Sequence, residues 1–307
     1  MSALESHRRK DSMKLATFSQ DGISPPRVGA VLDTELVDLG ALACDVPAFF
    51  DADLRIAADQ IVRSGANRIP LSEVTFRAPV VPSHFFAIGL NYADHAAESG
   101  IEKPEDLVVF LKASSTVVAH QDPIERPLVS KCLDYEGELA VVIGQRCRHV
   151  SAADAAAVIG GYTIANDVSV RDWQTRTSQW ALGKSFDTHG PIGPWIVTPD
   201  EVADPHDLDL RTYVNGELRQ SSNTSNLIFD CYRIIETLSQ VCMLLPGDVI
   251  ATGTPSGGAF GMKGEPWLVP GDVVRVEIER LGALENTVVD ETPQSSAHAG
   301  PVRDARR

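Results

Sequence analysis

The sequence predicts a mixed α/β fold dominated by strands. Short runs rich in β-branched and aromatic residues, broken by Gly, Pro, Asn and Asp, recur from Arg77 onward. Helical patterning is sparse over the same stretch and does not alternate with the strands, which argues against βαβ units. The chain has 307 residues, 43% hydrophobic and 22% charged. That is globular composition, long enough to bury roughly three quarters of the unfolded surface.

Residues 1–12 carry His7, Arg8, Arg9 and Lys10 with no apolar stretch behind them. They read as a flexible extension and not as a secretory signal. Residues 13–75 read as a small N-terminal subdomain: strands at 14–18 and 27–32 flank a Gly/Pro turn, and 41–64 hold two short helical stretches. Residues 76–290 form the main domain. Within it, Ser151 and Asp154 make a capping-box pattern ahead of a short helix at 155–159. Leu227, Cys231, Ile234, Ile235, Leu238 and Val241 recur at helical spacing and predict a helix over 227–241. Between them, Asn215-Gly216 predicts a tight hairpin. Pro246-Gly247-Asp248 and Pro270-Gly271-Asp272 each predict a turn feeding a strand. The Gly-rich run at 256–261 has neither a P-loop lysine nor a dinucleotide-motif setting and reads as a mobile loop. Residues 291–307 read as a disordered tail.

Lys plus Arg number 27 against 42 Asp plus Glu, a net charge of −15. Such a surface repels nucleic acid and anionic membranes. The longest apolar runs fall far short of the roughly 20 residues of a membrane span. Five widely spaced cysteines without a CxxC predict free thiols and a cytoplasmic setting.

The richest chemistry lies in the run 133–144. Residues two apart on a strand share a face, so Glu136 and Glu138 stand side by side across Gly137. Alone, this pair is equally a solvated strand end. Asp167, closing the strand-like run 160–167, supplies a third carboxylate. Three acids at strand ends suit a hard cation such as Mg²⁺, Mn²⁺ or Ca²⁺. No HxH or HExxH occurs, so zinc is not expected.

These segments follow a familiar order. Glu136-Gly137-Glu138, the 166–172 run Asn-Asp-Val-Ser-Val-Arg-Asp, Gly183-Lys184-Ser185-Phe186-Asp187 and Thr252-Gly253-Thr254-Pro255 resemble motifs of the fumarylacetoacetate hydrolase family. The 89–98 run, with Asn91-Tyr92, His95 and Glu98, is similar to that family's Asn-Tyr-x-x-His-x-x-Glu segment. The resemblance covers about 76–290. It implies a mixed β-roll core, a homodimer, and Mg²⁺ or Mn²⁺ held by Glu136, Glu138 and Asp167. The fourth carboxylate of the animal tyrosine-pathway enzyme has no counterpart in the Asn91 segment. The chain therefore resembles the shorter bacterial branch of acylpyruvate and diketo-acid enzymes.

Hydrolysing a C–C bond leaves a carbanion, for which a metal-chelated 2-oxo acid is an electron sink. His95 and Glu98, three apart, share a face if helical, and Glu98 can orient His95 to activate water. An incidental surface pair is the alternative that spacing alone leaves open. Lys184 is a candidate for oxyanion or carboxylate stabilisation. Asn91, Arg171, Gln174 and Thr254 are candidate substrate contacts. Lys112 reads either as positive potential near the mouth or as a solvated side chain. Trp173 and Trp180 read as pocket lining or as core, and His189 as structural. The expected activity is metal-dependent hydrolysis of a small anionic 2,4-dioxo acid, releasing pyruvate or a similar 2-oxo acid. Decarboxylation of oxaloacetate-like acids, isomerisation of hydroxymuconate-type acids and non-catalytic metabolite binding are the alternatives.

Overall fold

The computed structural model describes residues 13–20, 25–94 and 103–293. The extension at 1–12, the 95–102 segment holding His95 and Glu98, and the tail from 294 onward lie outside the described residues. Two main sheets organise the rest. Ten strands form the path of the larger one: Arg68–Pro70, Glu35–Asp38, Arg27–Val31, Lys14–Ser19, Gly190–Val197, Ile159–Asn166, Gly137–Ile143, Val249–Ala251, Phe85–Gly89 and Val108–Lys112. The second sheet runs Glu217–Asn223, Asp209–Val214, Val273–Ile278, Gly282–Asp290 and Ile124–Arg126. The fold is thus mixed and strand-dominated. The 13–75 segment is sewn to the rest edge to edge, because Lys14 pairs with Val197 and Leu15 with Ile196.

The strand Gly137–Ile143 is buried throughout. Leu139, Val141 and Ile143 join one core with Tyr162, Ile234 and Val276, while Ala140 and Val142 join another with Leu15, Val28 and Phe49. Both faces are covered, which is why this run is continuously apolar and not alternating. Gly137 is required by that packing: a Cβ there would meet Thr212 Oγ1 at 2.3 Å.

The structure departs from the local sequence expectations at three places. The 155–159 helix is a 3-10 turn, Ala155–Val158, and Ile159 already starts a strand; Ser151 Oγ spends its bond on the Asp154 carboxylate at 2.6 Å instead of capping. The second helix spans Cys231–Val241, capped by Asp230, which accepts from Arg233 N. Residues 227–229 are excluded because Leu227 bridges to Tyr92, while Ile228 N and Phe229 N donate to Asn91. The 256–261 run is no loose loop, since Asp134 accepts from Ala259 N at 2.8 Å and Phe260 N at 3.1 Å. The hairpin holds as expected, with Asn215 and Gly216 at φ 53° and 80°.

His189 is fully buried, with Nε2 2.8 Å from Glu125 O, and burial pushes its imidazole down to about 3. Between that value and the ordinary 6.5 the unfolded chain binds a proton that the folded chain refuses. Stability is therefore present above about pH 6.5 and lost on acidification toward pH 3. Denaturant unfolding across that window should show a falling midpoint, with a slope reduced in His189→Gln. An unchanged slope in the variant would assign the acid sensitivity elsewhere.

Candidate active site

Three carboxylates meet at one end of the central strands. The antiparallel register sets Gly137 opposite Asn166, which brings Glu136 opposite Asp167. Two bonds fix that crossing: Asp167 N donates to Glu136 O at 2.8 Å, and Glu136 N donates to Asn166 Oδ1 at 2.9 Å. Glu138 lies two residues along on the same face. Carboxylate oxygens of Glu136, Glu138 and Asp167 lie within 4.8 Å of one another, and all three residues are buried. Ligands on opposite sides of a Mg²⁺ stand about 4.2 Å apart, so this all-oxygen set fits a hard divalent ion.

The cations around it are as buried as the acids. Lys184, at the end of the turn Ala181–Lys184, donates to Glu136 Oε2 at 2.6 Å and Asp167 Oδ2 at 2.8 Å. Arg171 donates from Nη2 to Glu136 Oε1 at 2.5 Å, from Nε to Asp134 at 2.8 Å and from Nη1 to Gln174 at 2.8 Å. Lys112, read from sequence as near the mouth or solvated, is instead in the interior. Its Nζ donates to Asp167 Oδ1 and to Lys184 O, each at 2.5 Å.

Burial alone would push Glu136 up, but the Arg171 and Lys184 charges outweigh it and hold its carboxyl at about 2. Glu138 fares differently. Burial and then the neighbouring Asp167 and Glu136 carboxylates push it well above the usual range, against a bond from Gly253 N at 2.7 Å. Gly253 makes that approach at φ 108°, where a side chain would be strained. Four buried carboxylates (Asp134, Glu136, Glu138, Asp167) thus face three cations (Lys112, Arg171, Lys184). With all four ionised, a divalent ion would turn the single excess negative charge into a single excess positive one, which suits an anionic ligand.

Beside these groups opens a cavity of about 50 Å³, lined by the apolar Ile88, Leu90, Phe110 and Trp180 and by Glu136, Glu138, Arg171, Gln174, Lys184 and Thr254. Trp180 packs on Gly89 and edge-on to Phe110, whereas Trp173 stands edge-on to Phe186. Roomier hollows of about 380 and 820 Å³ lie elsewhere, but opposite charges such as Arg275–Glu277 and Arg68–Glu35 pair within them. Thr254 Oγ1 donates to Gly137 O and accepts from Gln220 Nε2. Asn91 spends its amide on the backbone: Nδ2 donates to Thr252 O and Phe229 O, and Oδ1 accepts from Phe229 N. Sequence reasoning missed Asp134, although it precedes Glu136 and Glu138 at the same two-residue spacing. It also missed Gln220, which accepts from Gly137 N at 3.0 Å.

Known proteins resemble this chain over most of its length. The family described as fumarylacetoacetate (FAA) hydrolase C-terminal matches residues 84–289. The oxaloacetate tautomerase Fahd2a, mitochondrial, of Rattus norvegicus is 42% identical over 288 residues, covering 91% of this chain and 92% of that protein. Maleylpyruvate hydrolase from Sphingobium sp. SYK-6, solved with manganese(II) and pyruvate, is 33% identical with a TM-score of 0.78, covering 91% of this chain and 100% of that one. The 5-carboxymethyl-2-hydroxymuconate delta-isomerase from Mycobacterium smegmatis is 38% identical with a TM-score of 0.74, covering 92% and 100%. On its motifs, its fold and these matches, the chain belongs to the fumarylacetoacetate hydrolase family of enzymes.

Proposed function

We propose that this protein is a Mg²⁺- or Mn²⁺-dependent enzyme that binds a short 2-oxo acid and moves a proton at the carbon beside its 2-oxo group. Keto–enol tautomerisation of an oxaloacetate-like acid is the first reaction to test. One observation carries the reading: three buried carboxylates converge beside Lys184 and Arg171, at the edge of a small cavity. A divalent ion held by Glu136, Glu138 and Asp167 supplies an electrophile for the substrate's carboxylate and 2-oxo oxygens. Lys184 and Arg171 balance the acids and attract the anion. Ile88, Leu90, Phe110 and Trp180 keep the reacting carbon dry. The tautomerase name of a relative alignable over 91% of this chain favours this outcome.

Hydrolysis of a 2,4-dioxo acid of the acylpyruvate type is the second reading, favoured by the pyruvate complex of the maleylpyruvate hydrolase. It adds a water, which His95, oriented by Glu98, activates. His95→Ala is then expected to slow C–C hydrolysis by about 10²–10⁴ while leaving tautomerisation within about tenfold, since no water attacks there. Equal losses in both assays would move His95 from water activation to proton transfer at carbon.

A product-resolved assay of enol-oxaloacetate, acylpyruvates and muconate-type diacids with Mg²⁺ and Mn²⁺ tests the proposal. Acceleration that a chelator removes is expected. No turnover of any of them by protein carrying Mn²⁺ would overturn it and leave a metabolite-binding role. A homodimer in a reducing compartment belongs to the same reading; the described cysteines are free thiols, and size-exclusion chromatography tests the dimer.

A further inference from the structure

Asp134 is fully buried, and its carboxylate bonds to Arg171 and to backbone amides, not to the groups proposed to hold the ion. Its carboxylate nevertheless ties two parts of the site together. Oδ1 accepts from Tyr135 N at 2.9 Å and Ala259 N at 2.8 Å. Oδ2 accepts from Phe260 N at 3.1 Å and Arg171 Nε at 2.8 Å, and Arg171 Nη2 lies 2.8 Å from the same oxygen.

The 255–260 segment is held elsewhere as well. Gln220 Nε2 donates to Pro255 O and Tyr135 Oη to Gly257 O, each at 2.9 Å. A Cβ at Gly257 would meet Arg219 O at 2.1 Å, so the backbone packs directly on the neighbouring strand. Phe260 then lays its half-exposed ring 5.6 Å from the Arg171 guanidinium carbon. A guanidinium has five N–H donors in a rigid fork. Asp134, Glu136 and Gln174 take those on Nε and Nη2 and one on Nη1, leaving one Nη1 donor on a guanidinium that lines the cavity.

We propose that Asp134 is a positioning residue that locks Arg171 and the Ala259–Phe260 backbone into one unit, so that Arg171 presents a single aimed N–H to the carboxylate of a 2-oxo acid. The inference rests on the function proposed above. It predicts that ligand binding at Arg171 is felt in the loop, although the loop amides bond to Asp134 and their residues do not line the cavity.

The test uses the full chain loaded with Mn²⁺ and oxalate as the probe. Asp134→Asn places an NH₂ or a weaker acceptor where two oxygens now meet five N–H groups. By calorimetry it should weaken oxalate at least about tenfold. In an Arg171→Gln background the same change should alter oxalate affinity by less than about twofold, because Asp134 acts through Arg171. Equal factors in both backgrounds, or none in either, overturn the inference. Should Asp134→Asn fail to fold, hydrogen exchange in the unaltered protein decides: oxalate should slow the Ala259 and Phe260 amides by about fivefold or more, and an unchanged rate overturns it. Unaltered protein that takes up no Mn²⁺ overturns the functional reading, and this inference with it. Uptake of Mn²⁺ and oxalate with additive variants overturns the inference alone.

Discussion

Replacing Glu138 by Gln should slow turnover by about 10³-fold or more and yet leave the metal-free protein at least as stable as before. The two effects have one cause. Glu136 is flanked by Arg171 and Lys184, and Asp167 by Lys184 and Lys112, whereas Glu138 has the Gly253 amide and no ion pair among the described residues. Without a divalent ion, a carboxylate there meets two others in a buried setting, which is unfavourable. Glutamine keeps the shape, can still accept from Gly253 N, and removes the repulsion. With the ion present the order reverses, because a neutral amide is a poorer ligand for a hard cation. Thermal unfolding with and without Mn²⁺ reads both limbs: the variant should match or exceed the unaltered protein in the absence of metal and gain less from adding it. A metal-free variant that melts several degrees lower would mean that Glu138 is held by protein contacts alone.

Lys184→Met should produce the opposite pattern. The ammonium is shared by Glu136 and Asp167, and these acids together hold its pKa above the ordinary value despite burial. Methionine fills the volume but leaves two buried carboxylates short of a cation. Breaking a buried ion network this way costs about 3–5 kcal/mol. Denaturant unfolding should show a loss of that order without metal, part of it recovered on adding Mn²⁺, whose charge stands in for the ammonium. Turnover should fall by about 10²-fold even at saturating metal, since the charge facing the substrate anion is gone. Stability unchanged by the substitution would contradict the charge balance drawn here.

The parts of this site legible in the sequence are those fixed by local periodicity, Glu136, Glu138 and Asp167, and those carried by the motif resemblance, Arg171, Gln174, Lys184 and Thr254, which line the same cavity. The two-residue repeat of a strand places Glu136 beside Glu138 whatever the rest of the chain does. Asp167 was legible because a strand ends there. Lys112 was not, because its burial depends on a register, Phe85 opposite Lys112, that no local pattern encodes. Two outer positions of its strand, Val109 and Leu111, are exposed, so hydropathy gave no warning that the strand's polar end turns inward. The helix starts at Cys231 and not at Leu227 for a related reason. Leu227 continues the apolar spacing, but a distant asparagine, Asn91, claims the backbone at 228–229. The glycine run at 256–261 packs where its composition suggests mobility, because glycine permits close packing as readily as motion.

The central claim is that Glu136, Glu138 and Asp167 hold one divalent ion on which a 2-oxo acid or its analogue sits. Electron paramagnetic resonance of Mn²⁺-loaded protein titrated with ¹⁷O-labelled oxalate tests it most directly. One Mn²⁺ per chain, with lines broadened by the labelled oxygens, is the predicted result. Absence of bound Mn²⁺, or lines that the label leaves unchanged, would contradict it.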